Sequence, residues 1–493
     1  MNLEKLISST NIKKICGWIK DVEIENISIS SRHKTKNTLF IAQRGVNFDG
    51  HNFVDEAIIN GAVALVLEKE IPQYSIPQII VKSTRVAIGT IASEFFGNPS
   101  SRLKFVGITG TNGKTSCSLF LSKMLEKAGK KTAVIGTLGA YSGNKTYNSK
   151  LTTPDPLEFH SLLSEFVSDG IEYVVMECSA HALALKKLDN IIFEVGIITN
   201  ITQDHLDFFK TMQNYAHAKL SWLISSNVKN VVFNADDKFS QHLYYKKSKA
   251  LSYGINSPAD VFALDIESNS CGSSFILNLL DNVFECETPL VGEFNIYNIM
   301  AVATAGLYLG LSFETIIQSI KEFSPPEGRF NVITIDDDKS IVIDFAHTPD
   351  SLKNVLSTAR SICKKRLISV FGCGGDRDRS KRPIMGSISE ALADFTIITS
   401  DNPRFEKPEK ILSEIESGMR NHNYFKISHR ELAIRKTIEM LNPGDVAVIC
   451  GKGGEKYQDI NGIKIPYDDF EEVQKAIKEI YAEANINVGG RIC

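Results

Sequence analysis

Lys114 and Thr115 stand directly after Gly110-Thr111-Asn112-Gly113 and before Ser116, a spacing that could do phosphate chemistry. The backbone N–H groups of a glycine-rich turn face phosphate oxygens, a lysine reaches the terminal phosphates, and a threonine hydroxyl can sit on Mg²⁺. The common form of this loop carries a glycine where this chain has Ile108, and the glycines here stand at 107 and 110. A plain strand–turn–helix corner is the competing reading. The Gly-Lys-Thr run and its flanks argue against it, so the chain is expected to bind a nucleoside triphosphate. Glu177, in Met176-Glu177-Cys178-Ser179-Ala180-His181, could hold Mg²⁺ beside Thr115 or cap the helix that follows. His205 lies past another strand between Asp204 and Asp207, where a site role and a satisfied structural histidine are equally open. Lys219, in Ala216-His217-Ala218-Lys219, reads from its surroundings as a solvated charge.

Four further loops in the last third mix carboxylates, glycines and cations. They are Asp344–Asp350, Phe371–Arg382, Thr399–Arg404 and Cys450–Lys456. Each follows an apolar run, and arginine grips carboxylate or phosphate through two parallel hydrogen bonds. One such loop is an ordinary turn. Four at strand ends read as a pocket for a zwitterionic ligand.

The elements that must position these residues fall into three blocks. Residues 1–102 carry short strands (Leu39–Ala42, Val63–Leu67, Ile79–Val81) and close on the linker Gly97-Asn98-Pro99-Ser100-Ser101. Residues 103–328 alternate strand and helix. Strands are expected at Phe105–Ile108, Thr132–Ile135, Tyr173–Met176, Val195–Thr199 and Val231–Phe233, with a helix opening at Pro156. Val261–Leu280 alternates like an antiparallel insertion broken at Ser268–Ser274, and a helix is expected over Phe294–Leu309. Residues 329–493 repeat the alternation, with strands at Ser340–Asp344, Leu367–Phe371, Phe395–Thr399 and Val446–Cys450. The fold class is α/β: a central, mainly parallel sheet of phosphate-loop type between an N-terminal α/β domain and a C-terminal Rossmann-like one.

Composition sets bounds. At 493 residues, 43% hydrophobic and 23% charged, the chain has the make-up of a globular protein large enough for several cores. A net charge of −3 argues against bulk attraction to nucleic acid or anionic membrane. No apolar stretch is long enough to cross a bilayer, and Met1–Lys14 lacks the apolar core of a secretory signal. Nine scattered cysteines without a C-x-x-C pair suit reduced thiols in a cytoplasm, and the histidines show no metal-ligand clustering.

Taken together, these motifs resemble the Mur ligases of bacterial cell-wall synthesis. The likeness covers nearly the whole chain, from Ile29-Ser30-Ser31-Arg32 and Gly45–Gly50 to Gly451–Glu455. Between them it includes Gly110–Ser116, Leu151–Asp155, Glu177–His181, Asp204–Asp207, Ala218-Lys219, Asn295–Asn298, Gly328-Arg329, Asp344–Asp350, Gly374–Arg382 and Asp401–Arg404. The off-pattern glycine spacing is shared with that family. The resemblance implies ATP-dependent amide formation through an acyl phosphate. The D-glutamate of a UDP-N-acetylmuramoyl dipeptide would be joined to meso-diaminopimelate, with Mg²⁺ as cofactor and the enzyme a cytoplasmic monomer.

By the same carry-over, Lys114, Glu177, Lys219 and His205 would be catalytic, with Lys219 carbamylated and helping Thr115, Glu177 and His205 hold the metal. Gly110–Ser116, Asn295, Arg329, Asp344 and His347 would contact ATP. Ile29, Ser31 and Val46, Asn47 and Phe48 would meet the uridine; Thr152, Thr153, Ser179, Leu185 and Lys187 would meet the muramoyl dipeptide. Arg377, Asp401, Asn402, Pro403, Arg404, Gly451 and Glu455 would form the amino-acid pocket. In relatives that add diaminopimelate the motif is Asp-Asn-Pro-Arg, and its arginine grips the distal carboxylate. Three positions depart from the pattern: Gly454 where histidine is common, and Leu185 and Lys187 where glutamine and arginine are expected. The rival readings are a lysine-adding ligase of the same family, a folylpolyglutamate synthase-like ligase, and a nucleotide-switched binding protein.

Overall fold

The computed structural model describes residues 1–45, 49–149, 151–336, 339–482 and 491–492. The chain forms two compact units. The first comprises Met1–Thr109, Leu125–Ile197 and Ala218–Val231; the second comprises Gly110–Met124, Ile198–His217 and Val232–Cys493. The expected first block therefore lies within unit one and the expected third within unit two, while the middle block contributes to both.

Unit one opens with a five-stranded sheet in the order Ile12–Cys16, Gln78–Val81, Ala62–Leu67, Thr38–Ile41, Asn26–Ser28. Its first pair is antiparallel and the rest are parallel. The inner strands are the apolar runs legible in the sequence, because a parallel strand buried on both faces must be apolar throughout. Ile12–Cys16 is an edge strand whose lysines face solvent, so it carries no continuous apolar signal. In the same unit Lys104–Thr109, Tyr173–Glu177 and Thr132–Gly136 pair in parallel, with Glu177 opposite Ile108. The helix Pro156–Ser168 begins at the expected proline, with Asp155 as its N-cap residue.

Unit two contains an antiparallel meander of Val261–Asn269, Gly272–Leu279 and Asn282–Thr288. The polar break in the expected insertion is a tight turn, and the pairing continues through most of it, from Glu267↔Ser274 to Asn269↔Gly272. The third strand was not legible in the sequence: Asn282–Thr288 keeps only Cys286 and Thr288 buried and reads as polar. The helix Glu293–Tyr308 follows and is buried on nearly every side. A seven-stranded sheet then runs in the order Tyr424–Lys426, Phe395–Ile398, Leu367–Phe371, Val446–Cys450, Lys339–Asp344, Asn331–Asp336, Arg491–Ile492. The first five strands are parallel, so the four loops singled out above all leave the same edge of the sheet. Apolar clusters on both faces hold it, one around Val342, Phe371 and Val448 and the other around Ile343, Ile368 and Ile449. A small hairpin, Tyr457–Ile460 with Ile463–Pro466, follows the fourth loop. Among the described residues no helix is long and apolar enough to cross a membrane.

Candidate active site

The glycine-rich loop lies between the strand Lys104–Thr109 and the helix Lys114–Lys127. Two of its glycines are obligatory. Gly110 and Gly113 have φ of 143° and 86°, and a Cβ on them would come within 1.9 Å of Thr199 Oγ1 and 2.4 Å of Asn298 Oδ1. Bare backbone is thus pressed against a polar frame. Thr111 N–H donates to Asn200 O (2.9 Å), Asn112 N–H to Asn200 Oδ1 (2.9 Å), and Thr199 Oγ1 to Asn112 O (2.6 Å). Lys114 Nζ curls over its own loop, donating to Gly110 O (3.0 Å) and Thr111 O (2.8 Å). Buried Thr115 receives Arg329 Nη2 at 3.1 Å, and Ser116 is half-buried in the first helical turn. Asn295 is buried one turn before Asn298, whose Nδ2 donates to Asn295 Oδ1 at 3.3 Å.

The strand Lys339–Asp344 delivers Asp344 to the same unit. Its carboxylate accepts from Phe330 N–H (2.8 Å) and Ala346 N–H (2.7 Å), which fixes the residue after Arg329 and the start of the next loop. Burial pushes the Asp344 carboxyl up to about 6, and the Arg329 charge and these two N–H groups only partly offset it. The Arg329 guanidinium stacks over Phe345, 4.5 Å from the ring centre. His347 Nδ1 bonds Phe345 O at 2.9 Å, and burial and the Lys381 charge lower its pKa against the pull of Asp204. Lys381, itself buried, donates to His347 O at 2.8 Å. Burial alone would raise the Asp204 carboxyl, but the charges of His205, Lys381 and His347 hold it at about 2. His205 Nε2 lies 3.2 Å from Asp204 Oδ2, so the histidine is engaged by its neighbour in the chain. Asn112 Nδ2 also reaches Asp350 Oδ2 at 2.9 Å. In the sequence Lys381 is one of several cations in a turn; only the fold shows it enclosed.

In unit one Glu177 ends its strand with almost no exposure. Its carboxylate accepts Thr137 N–H (2.9 Å) and Thr137 Oγ1 (3.0 Å). The helix-capping alternative falls to Ser179, whose hydroxyl accepts from Ala182 N–H. Thr153 Oγ1 donates to Glu177 O (2.9 Å) and meets Ser179 Oγ (3.2 Å). Thr152 is within 3.5 Å of Thr137 Oγ1, and Lys187 Nζ pairs with Asp155 (2.8 Å) and touches Thr153 O (3.5 Å). Leu185 closes the short helix Ala180–Ala184. Lys219 contradicts its reading as a solvated charge. Its side chain is fully buried, because the helix Met212–Ile224 turns that face inward. An ammonium so placed is expensive unless compensated or chemically altered.

The amino-acid candidates are also in unit two. Asn402 Nδ2 donates to Glu455 Oε2 at 2.7 Å, joining two of the four loops. Asp401 and Pro403 are buried, and Gly451 N–H donates to Asp344 O at 3.1 Å. Arg404 sits at φ 51°, with Nη1 on Gly375 O (2.7 Å) and Nε 3.8 Å from Asp459 Oδ2. Its backbone pairs with the small hairpin, donating to Asp459 O (3.0 Å) and accepting from Asn461 N–H (2.8 Å). Arg377 is exposed. Gly454 fits against the chain at Glu327, whose carbonyl oxygen would lie 2.9 Å from an added Cβ, so a side chain there would need the loop to shift. In the first block Ile29 packs on the core and Ser31 Oγ donates to Glu56. Val46, Asn47 and Phe48 lie outside the described residues.

Comparison with known proteins gives three matches to family models along the chain. These are the Mur ligase family catalytic domain over residues 23–96, the Mur ligase middle domain over 108–306, and the Mur ligase glutamate ligase domain over 328–453. A UDP-N-acetylmuramoyl-L-alanyl-D-glutamate–2,6-diaminopimelate ligase of Clostridium acetobutylicum is 40% identical over 98% of this chain and 100% of its own length. The ligase of the same name from Aquifex aeolicus is 41% identical over 92% and 94%. A solved structure of a ligase of that name superposes with a TM-score of 0.70 at 28% identity, covering 98% of this chain and 99% of that one.

Proposed function

Because the chain belongs to the Mur ligase family, we propose that it uses ATP to join meso-2,6-diaminopimelate to UDP-N-acetylmuramoyl-L-alanyl-D-glutamate. One observation carries this most directly: identity near 40% to ligases of that name extends over 97% or more of this chain. Residues 1–102 are assigned to the UDP-sugar, 103–328 to ATP and 329–493 to the amino acid. The enzyme is proposed to act as a cytoplasmic monomer.

The reaction has two steps. A γ-carboxylate oxygen of the D-glutamate attacks the terminal phosphorus of ATP, and the bond to ADP breaks. The free amine of the amino acid then attacks the acyl carbon, phosphate leaves, and the nitrogen gives up its proton. Lys114 would stay with the transferring phosphoryl, and Gly110–Ser116 would hold the chain of phosphates by their N–H groups. Asn295, Arg329, Asp344 and His347 would hold the rest of the nucleotide. Ile29, Ser31 and the segment 46–48 would take the uridine. Thr152, Thr153, Ser179, Leu185 and Lys187 would hold the muramoyl dipeptide, with Lys187 as its cation.

Magnesium favours hard oxygen donors. The Thr115 hydroxyl and Glu177 carboxylate would supply them, and His205 would add a nitrogen. A buried ammonium on Lys219 would repel the ion, whereas its carbamate (N6-carboxylysine) would add oxygens and a negative charge, the chemistry that such an ion favours. Bound magnesium would neutralise charge developing on the phosphoryl group.

Arg404 is proposed to grip the distal carboxylate of diaminopimelate, with Arg377, Asp401, Asn402, Pro403, Gly451 and Glu455 around it. A lysine ammonium at that place would face a guanidinium. The test is phosphate release from ATP by the purified enzyme. Release that requires both the UDP-dipeptide and meso-diaminopimelate supports the proposal; release without them, or none with all three, refutes it.

A further inference from the structure

The proposed reaction gives no task to Lys452, the second residue after the strand Val446–Cys450, although its side chain has no exposed surface. A buried ammonium persists only where it is paired. Lys452 Nζ donates to Asn402 Oδ1 (3.0 Å) and to Glu455 Oε2 (2.8 Å). The rings of Tyr457 and Tyr467 lie 5.7 and 5.9 Å from it. Its two partners come from loops that follow different strands, and Asn402 Nδ2 meets the same Glu455 oxygen at 2.7 Å. Asn402 Oδ1 also receives Asp459 N–H at 2.8 Å, so both ends of the carboxamide are committed. Glu455 is further bonded by the side chain of Tyr457.

We infer that Lys452 is a positioning residue for the incoming amino acid: it locks Asn402 and Glu455 into one preformed constellation before the substrate arrives. The inference rests on the assignment of those two residues to the diaminopimelate pocket. Lys452 itself is enclosed beneath them, so it acts through its partners. Without its charge, Glu455 loses a charge-assisted bond and the two loops lose their shared anchor.

The test is a double-mutant cycle on the full-length enzyme: wild type, Lys452→Met, Glu455→Gln and the double variant, assayed with meso-diaminopimelate. Lys452→Met is expected to raise KM for diaminopimelate at least about ten-fold, the effect of losing one hydrogen bond to a charged group. KM for ATP and for the UDP-dipeptide should stay at the wild-type value, which a general loss of structure would not permit. In the Glu455→Gln background the same change should add little. An unchanged KM in Lys452→Met, or an equal further rise in the double variant, overturns the inference. If Lys452→Met alone fails to fold, the charge-neutral double variant against Glu455→Gln still decides it. A wild-type enzyme that joins lysine in place of diaminopimelate overturns the substrate reading instead, and the same cycle run with lysine then decides Lys452.

Discussion

At the scale of single residues, three positions show what charge and burial do: Arg404, Asp344 and Lys219. Arg404 is held in a left-handed backbone conformation with its guanidinium on Gly375 O, so its direction is set before any ligand binds. Arg404→Ala should lower kcat/KM for diaminopimelate relative to lysine by about ten-fold or more, a lost charge-assisted pair, and leave the affinity for ATP unchanged. Competition kinetics with isotope-labelled amino acids reads this. Asp344 gives a pH prediction. Its carboxyl titrates at about 6 in the folded enzyme, above its ordinary 3.8. Between those values the folded state keeps a proton that the unfolded chain releases, so stability falls as pH rises through that window and is flat above it. The span corresponds to about 3 kcal/mol. Thermal unfolding of the ligand-free enzyme from pH 4 to 7, set against Asp344→Asn, should show that slope in the wild type alone. Lys219 completes the residue scale: Lys219→Ala should abolish turnover, and intact-protein mass under bicarbonate should show the carbamate on the wild type. Near-normal turnover of the variant would remove Lys219 from the site.

At the scale of elements, the loop Gly110–Ser116 shows how a short sequence becomes a site. Its glycines are required by close approach to Thr199 and Asn298, residues far away in sequence. Gly110→Ala is expected to cost about 1–3 kcal/mol of backbone strain and to abolish detectable ATP binding in calorimetry; Gly129→Ala, whose added Cβ meets open space, should keep ATP binding. The strands that carry loops were legible because parallel strands buried on both faces must be apolar, as Leu367–Phe371 and Val446–Cys450 are. Ile12–Cys16 and Asn282–Thr288 were not, because edge and half-exposed strands alternate or lose their apolar residues. For the site, the loops were legible as polar departures from strand ends. Their internal wiring was not. Thr137 beneath Glu177, Lys381 beneath His347 and Lys452 beneath Asn402 sit at positions whose type alone fits a surface. Lys219 failed for the same reason: one residue's burial depends on which helix face the rest of the fold covers.

At the scale of the whole molecule, the family match over residues 23–96, 108–306 and 328–453 and the end-to-end identity to diaminopimelate-adding ligases describe one enzyme rather than a shared nucleotide module. A net charge of −3 argues against bulk electrostatic attraction to nucleic acid, and among the described residues no helix is long and apolar enough to cross a membrane. Amino-acid choice is the discriminating property, because the phosphate loop would serve any relative equally well. The decisive measurement is a competition: purified enzyme, ATP, Mg²⁺ and UDP-N-acetylmuramoyl-L-alanyl-D-glutamate, with equal meso-diaminopimelate and L-lysine, and the tripeptide products resolved by mass. The diaminopimelate product is expected in large excess; a majority of lysine product would refute the assignment.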